Sequence, residues 1–276
     1  MPVISTNNAA NAALNYLNLN SSQETQDISM LASGSRIVQA SNDAAGLAIG
    51  TQLDANVTVF QEDQVNISQG NSILQSSDGA LAQISNVLQR MMALATEAAS
   101  GQVTNTQRVQ DINTEYSQLR TEIGSIVSST TYAGHQLLTG SFLSNVKYLI
   151  GTQSSNFISV SLSTVSLGGL GFTTTGSTVS TASLALSAMQ TVNSAINTIT
   201  RDRALVGAYE SQFNFSGQDL QTNIQNITAA ASVIMDADVA GTKASLSAND
   251  VKTQAAIAAL TQAAQLPQEL LRLLQS

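Results

Sequence analysis

The chain has 276 residues, a net charge of −8 and no cysteine. That excludes disulfides and thiolate metal sites. Only ten Lys and Arg are present, too few and too scattered for a surface that binds nucleic acid or anionic membrane. Hydrophobic residues are 43% of the chain but aromatics only 4%, and charged residues are 10%, which predicts thin alanine-rich helical layers rather than a thick aromatic core.

Residues 1–20 carry no Lys or Arg and no apolar run of the secretory-signal kind. No stretch approaches the ~20 apolar residues of a membrane span. The expectation is a chain that stays in the cytoplasm or leaves it without a cleavable signal. Proline occurs only at Pro2 and Pro267, so long helices are permitted between them. Leu14, Leu17, Ser21, Glu24, Ile28 and Leu31 step by three and four, a coiled-coil seam weakened by two polar members. Leu53, Phe60, Ile67, Leu74, Leu81, Leu88 and Ala95 then recur every seven residues. Ile73, Ala80, Ile84, Val87, Met91, Leu94 and Ala98 widen that stripe. The pattern predicts one helix of roughly 55 residues, about 80 Å long.

Gly101 closes this helix, and Thr104, Asn105 and Thr106 offer an N-cap for a shorter one over residues 106–129. The period changes at residue 131. Residues 146–150 and 157–162 read as short strands joined by a turn. Val146, Tyr148, Ile150, Phe157, Ile158 and Val160 make them too apolar for a free loop. They predict a small hairpin packed on the helices, with Phe157 turned inward and residues 173–181 as an exposed Ser/Thr loop. From Ala185 through Val192, Ile196, Ile199, Phe213, Leu220 and Ile224 to Ile234 the helical period returns without slipping. A break near residues 236–241 precedes a final alanine-rich amphipathic segment. The predicted fold class is mainly α: a long antiparallel helical hairpin, or coiled coil, with a small β-hairpin insert.

Several stretches then match a known family. Leu31-Ala32-Ser33-Gly34-Ser35-Arg36-Ile37 is similar to its L-S-S-G-x-R-I motif, and Asp43-Ala44-Ala45-Gly46-Leu47-Ala48-Ile49 to its D-A-A-G-x-A-I. Ser76 to Leu81 and Leu88-Gln89-Arg90 resemble T-x-x-G-A-L and L-Q-R. Leu260 to Gln268 resembles L-x-Q-A-N-Q-x-P-Q, with closing leucines after it. On these motifs, in order and at both ends, the chain resembles bacterial flagellin in a short form. Ala264 stands where the family commonly has Asn, and residues 131–181 replace the larger middle lobes of many members.

The resemblance implies a structural subunit that self-assembles into the extracellular flagellar filament. Its partners would be copies of itself, an export chaperone, the filament cap and the hook-junction proteins; no nucleic acid, membrane or cofactor is implied. Residues 1–42 and 236–276 would form an inner-tube helical domain with a spoke. Residues 43–181 and 182–235 would form the outer-tube helices and insert. Inner-tube packing would fall to Leu14, Leu17, Ile28, Leu31, Leu260, Leu266, Leu270 and Leu273. Outer-tube packing would fall to Phe60, Ile67, Leu74, Leu81, Leu88, Ile196, Phe213 and Ile224. Arg90, Leu94 and Glu115 match positions where some flagellins meet the vertebrate innate-immune receptor, although Met92-Ala93 replaces charged residues usual in recognised ones.

His135 is the only histidine and reads as a turn residue beside Gly134. No H-E-x-x-H pair exists for the zinc-peptidase insert of some flagellins. Gly168-Gly169-Leu170-Gly171 lacks the Lys-Ser/Thr and the spacing of a phosphate loop. Three other classes compete. A hook–filament junction protein has similar ends, a chemoreceptor hairpin needs a membrane anchor, and an enzyme needs converging titratable residues.

Overall fold

The computed structural model describes residues 7–140, 143–173 and 177–274, with 266–274 described by their backbone only. It contains two compact units: residues 1–57 with 225–276, and residues 58–224. Among the described residues six α-helices carry the fold. They are α1 (Asn8–Ser33), α2 (Ala44–Ala99), α3 (Asn105–Gln107), α4 (Asn113–Ser129), α5 (Ala182–Met235) and α6 (Val239–Leu274). Helices α2 and α5 are 56 and 54 residues long, in line with the unbroken heptads.

In the first unit α1 and α6 pack against each other antiparallel: the Asn7 side chain reaches the Ala263 carbonyl, and Asp27 meets Asn249. In the second unit the middle of α2 runs antiparallel to α5, with Asn71 against Asn214 and Asp78 against Arg203. Their heptad faces close into one core that includes Leu74, Leu81, Leu88, Val192, Ile199 and Phe213, none more than 1% exposed.

The expected helix over residues 106–129 is not uniform. A π-helical turn, Arg108–Ile112, separates α3 from α4. There Arg108, only 6% exposed, turns its guanidinium inward. It donates to the Ala98 carbonyl at 2.5 Å, the Ser100 carbonyl at 3.0 Å and Asn105 Oδ1 at 2.6 Å. Helix C-termini leave carbonyls unpaired and carry partial negative charge. Arg108 satisfies both at the end of α2 and ties the α2–α3 turn shut.

The insert is more deeply built into the second unit than its sequence suggests. Two hairpins form: β1 (Thr131–Tyr132) with β2 (His135–Gln136), and β3 (Val146–Leu149) with β4 (Phe157–Val160). The first turns at Ala133 and Gly134, both at positive φ, as a tight two-residue hairpin requires. Side chains alternate along β4, so Ile158 and Val160 are buried while Phe157 is 38% exposed. This corrects the expectation for Phe157. The pleat turns it outward, where Lys147 Nζ sits 4.4 Å from its ring centre. Tyr148 instead meets Phe213 of α5 edge to face at 5.1 Å. The exposed loop expected over residues 173–181 is also only partial. Residues 174–176 lie outside the described residues, but Val179 is fully buried and its N–H donates to Asn113 Oδ1.

Two outcomes follow from this packing. Val160→Asp places an unpaired charge in the core, an effect of several kcal/mol, and should abolish the cooperative unfolding transition seen by circular dichroism. Phe157→Asp should leave that transition within roughly 1 kcal/mol of the parent; equal damage from both would contradict the inward face assigned to β4. Arg108→Met keeps the apolar stem but strips the cap, and should lower stability in urea by roughly 2–3 kcal/mol.

Candidate functional site

The residues that bury between α1 and α6 are mostly small or polar, with four leucines among them. On α1 the inward face comprises Ala10, Ala13, Leu17, Asn20, Glu24, Asp27 and Leu31, all half-buried or buried. On α6 it comprises Thr242, Leu246, Asn249, Thr253, Ala256, Leu260 and Ala263. Both rows keep three-four steps, the geometry of a coiled-coil seam. The large apolar residues of the same helices point away. Leu14 is 44%, Tyr16 66%, Leu19 53%, Ile28 50%, Val251 65% and Ile257 48% exposed. Of the residues expected to pack here, Leu17, Leu31 and Leu260 lie on the seam, while Leu14 and Ile28 are on the outer face. The side chains of Leu266, Leu270 and Leu273 lie outside the described residues.

Both chain breaks of this unit are stitched together locally. Gly34 adopts a left-handed φ of 71° and caps α1 through the Met30 carbonyl. An antiparallel bridge joins Ser35 to Asp236. Arg36 then donates to the Ile234 carbonyl from both Nε and Nη2, at 3.0 and 2.8 Å, and its backbone N–H donates to Met235. The last carbonyls of α5 are thus held by a cation, the arrangement a helix C-terminus favours. Arg36 also pairs with Asp43 at 3.2 Å, whose carboxylate accepts from the Gly46 N–H and caps α2. That amide, with Arg36, holds the Asp43 carboxyl below its usual range. Asp238 caps α6 in the same way through Ala240 and Gly241. At Gly50 a Cβ would collide with the Met235 sulfur, so glycine there lets α2 and α5 approach closely. Arg36 as the clamp was missed by periodicity. The legible signals were Asp43 and Asp238, each followed three residues later by a glycine inside a new helical pattern.

In the second unit Ile67, Leu74, Leu81, Leu88 and Phe213 are buried, and Phe60, Ile196 and Ile224 are half-buried. Arg90 and Glu115 form an exposed ion pair at 2.6 Å. Leu94, expected beside them, is 2% exposed because it falls on the core stripe, which removes it from the surface set. The glycine loop uses its own amides: Gly169 donates to Ser166 Oγ, Leu170 to the Ser166 carbonyl and Phe172 to the Leu167 carbonyl. None of these is free to cradle a phosphate. Among the described residues, no group of three or more His, Cys, Asp or Glu is placed to hold a metal ion. His135 sits exposed on β2.

Two carboxyls lie on core positions of this unit, Asp63 at 2% and Asp202 at 1% exposure. Burial pushes both above the usual carboxylate range. Asn66 partly offsets this at Asp63 and the neighbouring Glu62 adds to it, while Ser163 and Arg201 partly offset it at Asp202. Protons therefore bind more tightly in the folded chain than in the unfolded one. By linkage the contribution is most favourable below the unfolded value of 3.8. It is lost as pH rises through the raised folded value. Asp202→Asn should make stability to urea flatter with pH above 3.8 and higher at neutral pH. A variant less stable than the parent at neutral pH would contradict this.

Comparison with known proteins agrees with these features. Residues 4–142 match the bacterial flagellin N-terminal helical region, and residues 189–274 the bacterial flagellin C-terminal helical region. The chain is 31% identical to the flagellar filament 30.7 kDa core protein of Treponema maltophilum, over 99% of each chain. It is 30% identical to the flagellin of Bacillus subtilis (strain 168), over 98% of this chain and 99% of that one. A solved structure of a putative flagellar hook-associated protein from Vibrio parahaemolyticus shares the fold, with a TM-score of 0.57 at 13% identity, covering 70% of this chain and 99% of that one. With two terminal regions matched across most of its length and full-length relatives near one-third identity, the chain belongs to the bacterial flagellin family.

Proposed function

We propose that the chain is a structural subunit that polymerises with copies of itself into a flagellar filament outside the cell, and that it has no enzymatic role. One observation carries this. The α1–α6 seam sets four leucines among alanine and polar residues, while other large apolar residues of both helices lie outside it. An alanine on the seam buries about three carbons fewer than leucine, so each such layer forgoes roughly 2 kcal/mol. Leu14, Tyr16, Leu19 and Ile28, half or more exposed in most cases, spread apolar surface over the part of α1 outside the seam, and exposed apolar surface of this extent is the kind that marks a protein interface. In a filament, neighbouring copies would cover it, and the first unit would form the inner layer.

The relatives support the filament over the hook junction. They are filament proteins matched from end to end, whereas the likeness to the hook-associated protein at 13% identity is one of fold. Unit two, with its closed core, supplies the outer layer in this reading. Chaperone, cap and hook-junction partners follow from the same assignment.

Electron microscopy of purified protein should show long tubular polymers. Leu14→Asp changes a residue that the single chain leaves exposed, so the thermal transition should be unchanged. Each copy in a polymer would instead bury an unpaired charge at a cost of several kcal/mol, and filaments should be absent. Normal filaments from Leu14→Asp would remove the proposed interface.

A further inference from the structure

We infer that the Asp27–Asn249 pair is a register lock: a buried polar contact that aligns α1 with α6 in one heptad frame. Asp27 is 8% and Asn249 7% exposed, on facing core positions of a seam otherwise lined by small residues, leucines and half-buried polar groups. The Asn249 amide donates to Asp27 Oδ2 at 2.8 Å. Lys252 Nζ donates to the other end of the same amide, Asn249 Oδ1, at 3.2 Å. An amide presents a donor at one end and an acceptor at the other. With Lys252 on its oxygen, Asn249 turns its NH₂ to α1, and Asp27 is the acceptor that meets it.

Alignment needs such a device because the rest of the seam discriminates weakly. Heptad counting from the bonded pair sets Leu31 level with Leu246, Asn20 with Ala256 and Leu17 with Leu260. Two leucine layers remain, separated by polar and alanine layers that tolerate a shift of one heptad. Slippage would leave the Asp27 carboxylate against Thr242 or Ala256, with no amide to receive it. An unpaired buried polar group costs far more than a paired one contributes. A single polar core position is a known means of fixing register in coiled coils, at a cost in stability. The inference rests on the geometry of the first unit and does not require the filament reading.

The chain has no cysteine, so engineered pairs report alignment directly. Asn20→Cys with Ala256→Cys tests the native frame. Asn20→Cys with Ala263→Cys, and Ala13→Cys with Ala256→Cys, test slips of one heptad in either direction. A one-heptad slip moves the helices by about 10 Å, beyond disulfide reach. In the parent, oxidation should cross-link the native pair alone. In Asp27→Ala/Asn249→Ala the slipped products should rise by about tenfold, the change expected when a buried hydrogen bond to a carboxylate no longer discriminates. Asp27→Asn, which keeps an acceptor facing Asn249, should stay native. Native-only cross-linking in the alanine double variant would overturn the lock. So would slippage in Asp27→Asn equal to that of the double variant, or a parent that gives no native cross-link in any state. Each set is oxidised as monomer and as polymer. A parent that cross-links natively without polymerising would sink the filament reading and support the lock.

Discussion

The structure depends on an inverted distribution of apolar surface in its terminal helix pair. Burial of apolar area is the main driving force for folding, yet α1 and α6 turn many of their large apolar side chains outward and meet largely through alanine, threonine, asparagine and aspartate, with two leucine layers between them. Helices of this kind gain little from pairing in isolation. In the proposed filament the missing burial would come from other copies. Association and the ordering of the ends would then be one event, governed by the same residues, and a surface short of charge would oppose that association only weakly.

The second unit is built on the opposite rule. Its helices bury an unbroken apolar stripe, and the insert adds Leu137, Leu138, Ile158, Val160 and Phe172 to the same core. Such a unit holds itself together before any partner arrives. Its tolerated irregularities are local and satisfied: the π turn that lets Arg108 cap α2, and the two-residue hairpin at Ala133 and Gly134. Desolvated Asp63 and Asp202 are the exception. They sit on stripe positions where an apolar residue would pack, which gives an otherwise robust core a dependence on pH.

Much of this was legible in the sequence, and the limits have physical causes. Heptads over α2 and α5 reveal helix type and length because the second unit buries what it patterns. The seam of α1 was half misread for the converse reason. Hydrophobicity marks Leu14 and Ile28 as inward only if burial within one chain decides orientation, and here α6 offers Ala10, Ala13 and Asn20 a closer fit. In β4 the apolar run Phe157, Ile158 hides the period of two, so composition alone could not say which face Phe157 takes. Arg36 acts on a helix end 198 positions away, and Arg108 on the carbonyls of the turn just before it, and neither role leaves a mark in the apolar period. The Asp27–Asn249 bond joins residues 222 positions apart, and each looks like an ordinary surface polar residue in its own segment.

The most direct measurement is amide hydrogen exchange along α1 and α6 in monomer and polymer. If the outward apolar face is covered only by neighbouring copies, amides of both helices should exchange rapidly in the monomer and become strongly protected in the polymer. Protection in the core of the second unit should be the same in both states. Terminal helices equally protected in both states would show that the α1–α6 seam suffices to hold them, and would contradict the coupling of folding to assembly.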